Sequence, residues 1–340
     1  MTTPASVPAS PQPGSPRRSG AAAPAPAVLA EVVRSGFVEG RHYGSLVVLA
    51  ADGSVDADLV LGDPTRPVFP RSSNKPMQAA AILRTGLDLD GELLALTAAS
   101  HSAETFHLDA VRKILAGAGL TTAALQTPPS LPLDEAEGEA WIRSGGHPEP
   151  ILMDCSGKHA AMLAACVARG WDTAGYLDPG HPLQQQVLTT FEQLTGGPTA
   201  AVGIDGCGAP LLATSLVGLA RAFRAIVLAE PGSPERRVAD AMRAHPEYVA
   251  GTRRIDTWLM RGLPGAMSKM GAEAVQAVAL ADGRALAFKI DDGAYRAVGP
   301  VLAAVLHRMG VEPDGDTLSR IASAPLYGGG RPVGAVRAAF

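Results

Sequence analysis

The segments of this sequence that have strand character lie near its two ends, and a long stretch of helical character separates them. The apolar or β-branched segments are residues 29–38, 45–50 and 55–61 near the start, and residues 274–280 and 284–290 near the end. Ala51-Asp52-Gly53 and Ala281-Asp282-Gly283 are hairpin signals inside the two groups. In this order, the first and last segments can pair into one antiparallel sheet.

The middle of the chain has the apolar periodicity that is typical of helices. The predicted helices cover residues 77–85, 91–99, 104–117, 158–169, 181–195, 210–224 and 234–244, and two more follow at 297–309 and 315–322. We therefore predict an α/β fold of the α+β type, with flanking helices. The sheet is expected from residues 29–70 and 265–340, with a helical lobe over 71–264 and a cleft between the two.

The first 28 residues are mostly Pro, Ala and Ser, which predicts a disordered tail ahead of a single domain over residues 29–340. A net charge of −4 and the lack of a basic patch argue against nucleic acid as a partner. No stretch approaches the ~18 apolar residues that a membrane span needs. The three cysteines include no Cys-x-x-Cys pair, so we expect free thiols and a cytoplasmic location.

Lysine is scarce in this chain, and three of the five lysines lie in short clusters that also contain serine. These lysines are Lys75, Lys158 and Lys269. A buried lysine amine can lose its proton, whereas a guanidinium essentially cannot. A neutral amine beside a hydroxyl or thiol is a general base beside a nucleophile, which indicates a hydrolase.

The first cluster, Ser72-Ser73-Asn74-Lys75, places Ser72 and Lys75 about one helical turn apart. Lys75 could take the Ser72 proton if desolvation lowers the pKa of the lysine. The alternative is an N-cap serine followed by a surface lysine.

Two further elements follow the first cluster in the chain. Residues 100–104 contain Ser100 and His101 and could equally be a helix cap. Lys269 lies two residues before Gly271 at the head of the returning strand. The order of a Ser-x-x-Lys motif, a serine loop and a lysine-glycine strand resembles the motif order of penicillin-recognising enzymes, which favours a serine hydrolase.

Two glycine-rich turns each carry a cysteine near an aspartate, at Cys155 and Cys207. Two thiolates could bind zinc if His159, Asp205 or an unprotonated Lys158 supplied further ligands. Buried structural cysteines are the alternative. Cys155 could also be a nucleophile with Lys158 as its base.

Four motifs together resemble the rhizobial-type, or class 3, L-asparaginases of the asparaginase II family. They are residues 71–78, 155–159, 203–210 and 269–273, and the opening residues 33–44 are also similar. The resemblance covers residues 29–335. It implies a fold similar to serine β-lactamases and glutaminases, a homodimer, and L-asparagine as the substrate.

The resemblance also implies roles for individual residues. Ser72 would be the nucleophile and Lys75 its base, with Ser100 and Lys269 as a second Ser-Lys pair. The expected zinc ligands are Cys155, Lys158 and Cys207, and the expected substrate-binding residues are Arg71, His101, Asp205 and Gly206. Arg71 could clamp a substrate carboxylate.

One position departs from the family pattern, because Ser102-Ala103 stands where Asn-Gly is expected. If this loop shapes the pocket, the preferred substrate size would differ. Other readings therefore stay open: a glutaminase, a β-lactamase-like enzyme, or a zinc-stabilised small-molecule-binding protein without catalysis.

Overall fold

The computed structural model describes residues 25–340. The tail predicted for residues 1–28 lies outside the described residues, except for its last four positions. The first strand already begins at Ala27, two residues before the predicted start of the domain. Within residues 25–340, none of the helices combines the length and apolar character needed to cross a membrane.

The described residues form eleven strands and twelve α-helices. The strands are β1 (Ala27–Arg34), β2 (Phe37–Leu49), β3 (Pro67–Val68), β4 (Val202–Ile204), β5 (Pro210–Leu212), β6 (Thr214–Ser215), β7 (Met267–Gly271), β8 (Val275–Ala279), β9 (Ala285–Ile290), β10 (Pro325–Gly328) and β11 (Arg331–Ala338). The helices are α1 (Lys75–Arg84), α2 (Gly91–Thr97), α3 (Thr105–Gly117), α4 (Glu135–Arg143), α5 (Ser156–Arg169), α6 (Pro182–Thr195), α7 (Leu216–Leu228), α8 (Pro234–Ala244), α9 (Pro246–Ala250), α10 (Ile255–Gly262), α11 (Val298–Arg308) and α12 (Thr317–Ala322).

Seven strands form one antiparallel sheet in the order β10-β11-β1-β2-β9-β8-β7. The strands from the start of the chain lie between strands from its end. Both neighbours of the β1–β2 hairpin, β11 and β9, are C-terminal strands. The predicted α+β class and the antiparallel sheet built from both ends of the chain are confirmed.

The large sheet is buried on both faces along the second half of β2 and through β8 and β9. Successive side chains of a strand point to opposite faces, and in β2 Val47 and Leu49 enter the core shared with the helical lobe. Leu46 and Val48 enter a second core, to which α11 and α12 contribute. Two cores on opposite faces hold the sheet rigid between the lobe and the C-terminal helices, and this positions β7 at the edge of the cleft.

Two local predictions were wrong. Residues 55–61 do not form a regular strand but contain a single 3-10 turn, joined to β2 by isolated bridges at Val55 and Leu61. The helix predicted over 210–224 begins only at Leu216, because the Ser215 side chain accepts the Gly218 N–H and caps the helix there. The residues ahead of this cap form β5 and β6.

Candidate active site

A cavity of about 200 Å³ opens between the helical lobe and the edge strand β7. Its lining includes seven of the residues selected from the sequence: Arg71, Ser72, Ser100, Cys155, Asp205, Gly206 and Cys207. The remaining lining residues are Leu133, Met153, Asp154, Met270 and Ala272. Elements that are far apart in sequence thus meet around one concave site, as expected for a small-molecule pocket.

Ser72 lies in a 3-10 turn, Arg71–Asn74, that leads directly into α1. The turn is pressed against β7: Ser73 Oγ donates to the Lys269 carbonyl oxygen at 3.0 Å. A Cβ at Gly271 would collide with the carbonyl oxygen of Pro70, so the close approach of strand and turn requires glycine here. Arg71 has a φ of +50°, a left-handed conformation that is costly outside glycine.

Lys75 and Lys269 converge on a single hydroxyl. Lys75 Nζ lies 2.9 Å from Ser100 Oγ, and Lys269 Nζ lies 3.0 Å from the same atom. Both lysines and the serine are almost completely buried. Ser72 Oγ, by contrast, has no side-chain hydrogen bond within residues 25–340. The structure therefore brings three of the four predicted catalytic residues into direct contact, with Ser72 at the wall of the same cavity.

The two lysines differ in their electrostatic surroundings. Lys75 Nζ lies 3.3 Å from Asp154 Oδ2, an ion pair at the wall of the cavity. Burial acts to raise the pKa of Asp154, but the charges of Lys75, His101 and Lys269 and a hydrogen bond from Ser100 together outweigh it, and the net shift is downward. Burial lowers the pKa of Lys269 to about 7, even though Asp256 acts to raise it. Lys269 is thus an amine that can be neutral near physiological pH.

Asp256 organises the strand that carries Lys269. Its carboxylate accepts hydrogen bonds from Ser268 Oγ at 2.6 Å, from the Met270 N–H at 2.9 Å and from Gln276 Nε2 at 2.9 Å. Three donors on one buried carboxylate fix the position of β7 on both sides of Lys269.

The predicted substrate-binding residues fall into two groups. Arg71 Nε donates to Asp205 Oδ1 at 2.8 Å, and both side chains line the cavity beside Gly206. His101 is fully buried and does not line the cavity. Its Nδ1 accepts the Ala103 N–H, and its Nε2 lies 2.9 Å from Ser156 Oγ. His101 therefore supports the loop that carries Ser100 and is not placed to contact a ligand.

The Ser102-Ala103 pair also lies behind the cavity. Ser102 Oγ donates to the Ala250 carbonyl oxygen at 2.7 Å, and neither residue lines the site. A Cβ at Gly251 would collide with Ser102, so the serine is accommodated by the glycine opposite. The Ser102-Ala103 pair can therefore affect the preferred size of the substrate only indirectly, by changing the position of Ser100.

A possible metal site adjoins the cavity. The ligand atoms of Cys155, His159 and Cys207 all lie within 4.8 Å of one another. His159 Nδ1 lies 2.6 Å from the Tyr176 hydroxyl, while its Nε2 is buried and has no hydrogen-bond partner within residues 25–340. Lys158 Nζ donates to Cys207 Sγ at 3.3 Å. Two sulfurs and a free imidazole nitrogen form a donor set that suits zinc.

Charge is unevenly shared in this cluster. A hydrogen bond from Cys155 and the charge of Lys158 lower the pKa of Cys207, while the bond to Cys207 and burial raise the pKa of Cys155. Although burial opposes it, the Cys207 thiolate raises the pKa of Lys158. A lysine that holds its proton this firmly is not a base for Cys155, which argues against cysteine catalysis. Zinc binding to Lys158 would have to displace that proton.

Sequence reasoning missed Asp154 and Asp256 as members of the site. Asp154 directly precedes Cys155, so a motif already marked its position. Asp256 lies in the polar segment 251–257, which the sequence could not distinguish from a solvated loop. In neither case did the sequence show which lysine the carboxylate would face.

Comparison with known proteins gives a family match over nearly the whole domain. The model of the family described as L-asparaginase II matches residues 30–338. No curated protein matches the sequence. Among solved structures, the chain is similar to a β-lactamase from Mycobacterium bovis, with 17% identity over 78% of this chain and 94% of that chain and a TM-score of 0.40. It is also similar to a Bacillus glutaminase, with 10% identity over 79% of this chain and 91% of that chain and a TM-score of 0.43.

Proposed function

This chain belongs to the L-asparaginase II family and is therefore an amidohydrolase, and we propose that it hydrolyses the side-chain amide of L-asparagine to give L-aspartate and ammonia. The observation that carries the proposal is the contact of Lys75 and Lys269 with one hydroxyl, Ser100 Oγ, in the cavity that Ser72 lines. The two buried amines have different surroundings and contact the same hydroxyl. The three groups can therefore pass a proton from one to the next beside Ser72, the candidate nucleophile.

The proton transfer that prepares the site runs from Lys75 to Lys269. The Lys75 ammonium donates its proton to Ser100 Oγ, and the Ser100 hydroxyl passes its own proton to the neutral amine of Lys269. The result is a neutral Lys75, a protonated Lys269 and an unchanged Ser100. The pKa of Lys269, lowered by burial to about 7, makes the neutral form that this step requires available near physiological pH.

The chemical steps then follow the usual course of acyl transfer. The neutral Lys75 takes the Ser72 proton as Ser72 Oγ attacks the carboxamide carbon, and a tetrahedral intermediate forms. The intermediate collapses as Lys75 gives this proton to the leaving nitrogen, so that the C–N bond breaks, ammonia departs and an ester to Ser72 remains. Water hydrolyses the ester, releasing L-aspartate and restoring the Ser72 hydroxyl.

The Arg71–Asp205 pair supports recognition of an amino acid as the substrate. A guanidinium and a carboxylate side by side at the cavity wall match the α-carboxylate and α-amino groups of L-asparagine. Both side chains are largely but not completely buried, so a ligand can reach them. In this role Gly206, which has no side chain, leaves room for the substrate backbone.

We propose zinc as a bound cofactor, held by Cys155 and Cys207 with His159 or Lys158 as a further ligand. The lowered pKa of Cys207 and the lack of a hydrogen-bond partner for His159 Nε2 among the described residues support this set of ligands. When bound, zinc would act as a Lewis acid that helps to orient the substrate. Of the four residues, Cys155 and Cys207 also line the cavity itself.

We also propose a homodimer that forms through a surface beside the cavity. Val202 and Ile204 in β4 are 54% and 83% exposed, and Phe69 beside them is 38% exposed. A cluster of exposed apolar side chains is typical of an association surface. Sedimentation of an Ile204→Asp variant should give a monomer, and an unchanged dimer would place the interface elsewhere.

The assay that tests the proposed activity is ammonia release from L-asparagine by the full chain, compared with L-glutamine and with opening of the β-lactam nitrocefin. Faster turnover of L-asparagine supports the proposal. Faster turnover of L-glutamine would make the protein a glutaminase, and nitrocefin turnover would make it β-lactamase-like. Binding of L-asparagine without release of ammonia would indicate a small-molecule-binding protein.

A further inference from the structure

A second and larger cavity, of about 500 Å³, lies among α10, α11 and α12. Four arginines line it: Arg253, Arg254, Arg296 and Arg320. Trp258 and Tyr295 contribute the aromatic part of the wall. None of these residues lines the candidate active site, so the cavity needs an explanation of its own.

Two of the four arginines are connected to carboxylates, one directly and one through a histidine. Arg253 forms ion pairs of 2.7 Å with both Asp134 and Glu137. Arg296 Nε donates to His42 Nε2 at 3.1 Å, and His42 in turn pairs with Asp292 at 2.7 Å. These contacts connect both guanidiniums on that side of the cavity to carboxylates.

Arg254 and Arg320 are different, because within residues 25–340 neither is hydrogen-bonded to a carboxylate, directly or through a histidine. Arg254 Nη2 lies 2.6 Å from the Met270 sulfur, a weak acceptor, and Arg254 Nε is buried with no hydrogen-bond partner. The Arg320 guanidinium stacks on Trp258, 3.9 Å from the ring centroid. Stacking orients that guanidinium and leaves its charge uncompensated.

The acidic residue nearest to Arg254 in the chain is not paired with either arginine. Asp256 lies two residues after Arg254, at the start of α10, and its carboxylate accepts hydrogen bonds from Ser268, Met270 and Gln276. Two guanidiniums with unused donors therefore face a cavity that is open to solvent. A guanidinium is planar, permanently charged and suited to paired hydrogen bonds with a phosphate or carboxylate.

We propose that this cavity is a binding site for a phosphate dianion, either free or as a phosphomonoester of a small molecule. Two uncompensated positive charges match a dianion, whereas a single carboxylate would leave one charge unmet. The volume exceeds that of inorganic phosphate, and the aromatic side chains of Trp258 and Tyr295 can contact the remainder of a phosphomonoester. A bound phosphate would contact Arg254, which also touches Met270, the residue after Lys269.

Calorimetric titration of the full chain tests the site without relying on catalysis. The probes are inorganic phosphate, AMP and succinate, each at low ionic strength, since salt screens such contacts. We expect phosphate or AMP to bind and succinate to bind more weakly. AMP that binds more tightly than phosphate identifies a phosphomonoester as the ligand, and the reverse order identifies free phosphate.

The variants Arg254→Gln and Arg320→Gln keep a polar side chain and remove the charge. Each should weaken binding of the better phosphate probe about tenfold or more. Arg169→Gln is the matched control, because Arg169 also stacks on a tryptophan, Trp171, but lies at the end of α5. It should leave binding unchanged.

Three results would overturn the inference. They are the absence of heat and of thermal stabilisation with both phosphate probes, succinate binding more tightly than either, or equal loss of affinity in the Arg169→Gln control. Circular dichroism of each variant confirms that a loss of binding does not come from unfolding.

Discussion

Lys75 and Asp154 form an ion pair of 3.3 Å, from Nζ to Oδ2, at the wall of the candidate active site. The Lys75 side chain is 1% exposed and that of Asp154 is 23% exposed, so the pair is mostly shielded from water. Asp154 therefore places a negative charge directly beside the Lys75 amine. The lysine that the sequence pairs with Ser72 instead has a carboxylate and a second serine as its partners.

Removing the carboxylate should expose the energetic role of this pair. Asp154→Asn leaves a buried ammonium without its counter-charge and should destabilise the protein by about 3 kcal/mol. Lys75→Met in the same chain should recover part of that loss, because the double variant has no unpaired charge. Urea unfolding of the two single variants and the double variant gives the coupling energy. Additive losses would show that the two residues do not interact.

Ser72→Ala should abolish ammonia release, with a fall of about three orders of magnitude or more, because the attacking hydroxyl is lost. The matched control is Ser319→Ala, a surface serine on α12 that should retain full activity. Mass spectrometry of the protein treated with a diazoketone analogue of asparagine should place the adduct on the peptide that contains Ser72. An adduct on Ser100 would transfer the nucleophilic role to that residue.

The activity should rise with pH through about 7, the pKa of Lys269. The neutral amine is the proton-accepting form, and its fraction grows as the pH passes above the pKa. Lys269→Arg should remove this rise from the pH–rate profile and lower the rate about a hundredfold, since arginine does not lose its proton. Lys113→Arg, at an exposed ion pair with Glu92, is the control that should keep the wild-type profile. A rise near pH 7 that survives in the Lys269→Arg variant would point to another group.

The purified protein should contain about one zinc per chain, held by the Cys155–Cys207 cluster. Cys155→Ala and Cys207→Ala should both lose the metal and melt at a lower temperature. Cys166→Ala, which removes a buried thiol elsewhere in α5, should keep it. Elemental analysis and thermal melting with and without a chelator measure both effects. Equal zinc content in all three variants would rule out this site.

Much of the fold follows from local sequence signals. Ala281-Asp282-Gly283 predicts the turn between β8 and β9, and the two strands pair in register on either side of it. The helices at α3, α6, α8 and α11 lie within one or two residues of the predicted positions. These elements are set by apolar periodicity and by residues that suit a turn or a cap, which are properties of short segments.

The C-terminal strands were not predicted, for a physical reason. β10 and β11 contain Pro325, Gly328, Pro332 and Gly334, residues that weaken any strand taken alone. Their pairing comes from β1, with Val32 opposite Val336, and β1 is about three hundred residues away in sequence. A partner at that distance leaves no trace in the local pattern.

The candidate site was partly predictable in the same sense. Each of Ser72, Ser100, Cys155 and Cys207 lies in a short polar cluster that the sequence reveals, and the structure places all four around one cavity. Which amine faces which hydroxyl depends on the packing of α1 against the Ser100 loop and β7. In that packing Lys75 contacts Ser100 and Asp154. The spacing of these residues along the chain does not determine this arrangement.

Strand β1 lies between β2, its hairpin partner, and β11, the last strand of the chain. This position has a consequence for biosynthesis. One edge of β1 stays unpaired until β11 has been synthesised, some three hundred residues later. Strand β7, which carries Lys269, also leaves the ribosome late. A nascent chain or a product shortened at its C-terminus would thus carry an unpaired strand edge, which invites aggregation, and would have no completed sheet to support it. Chaperones that bind nascent chains would therefore have their greatest effect on this protein between the synthesis of β1 and that of β11.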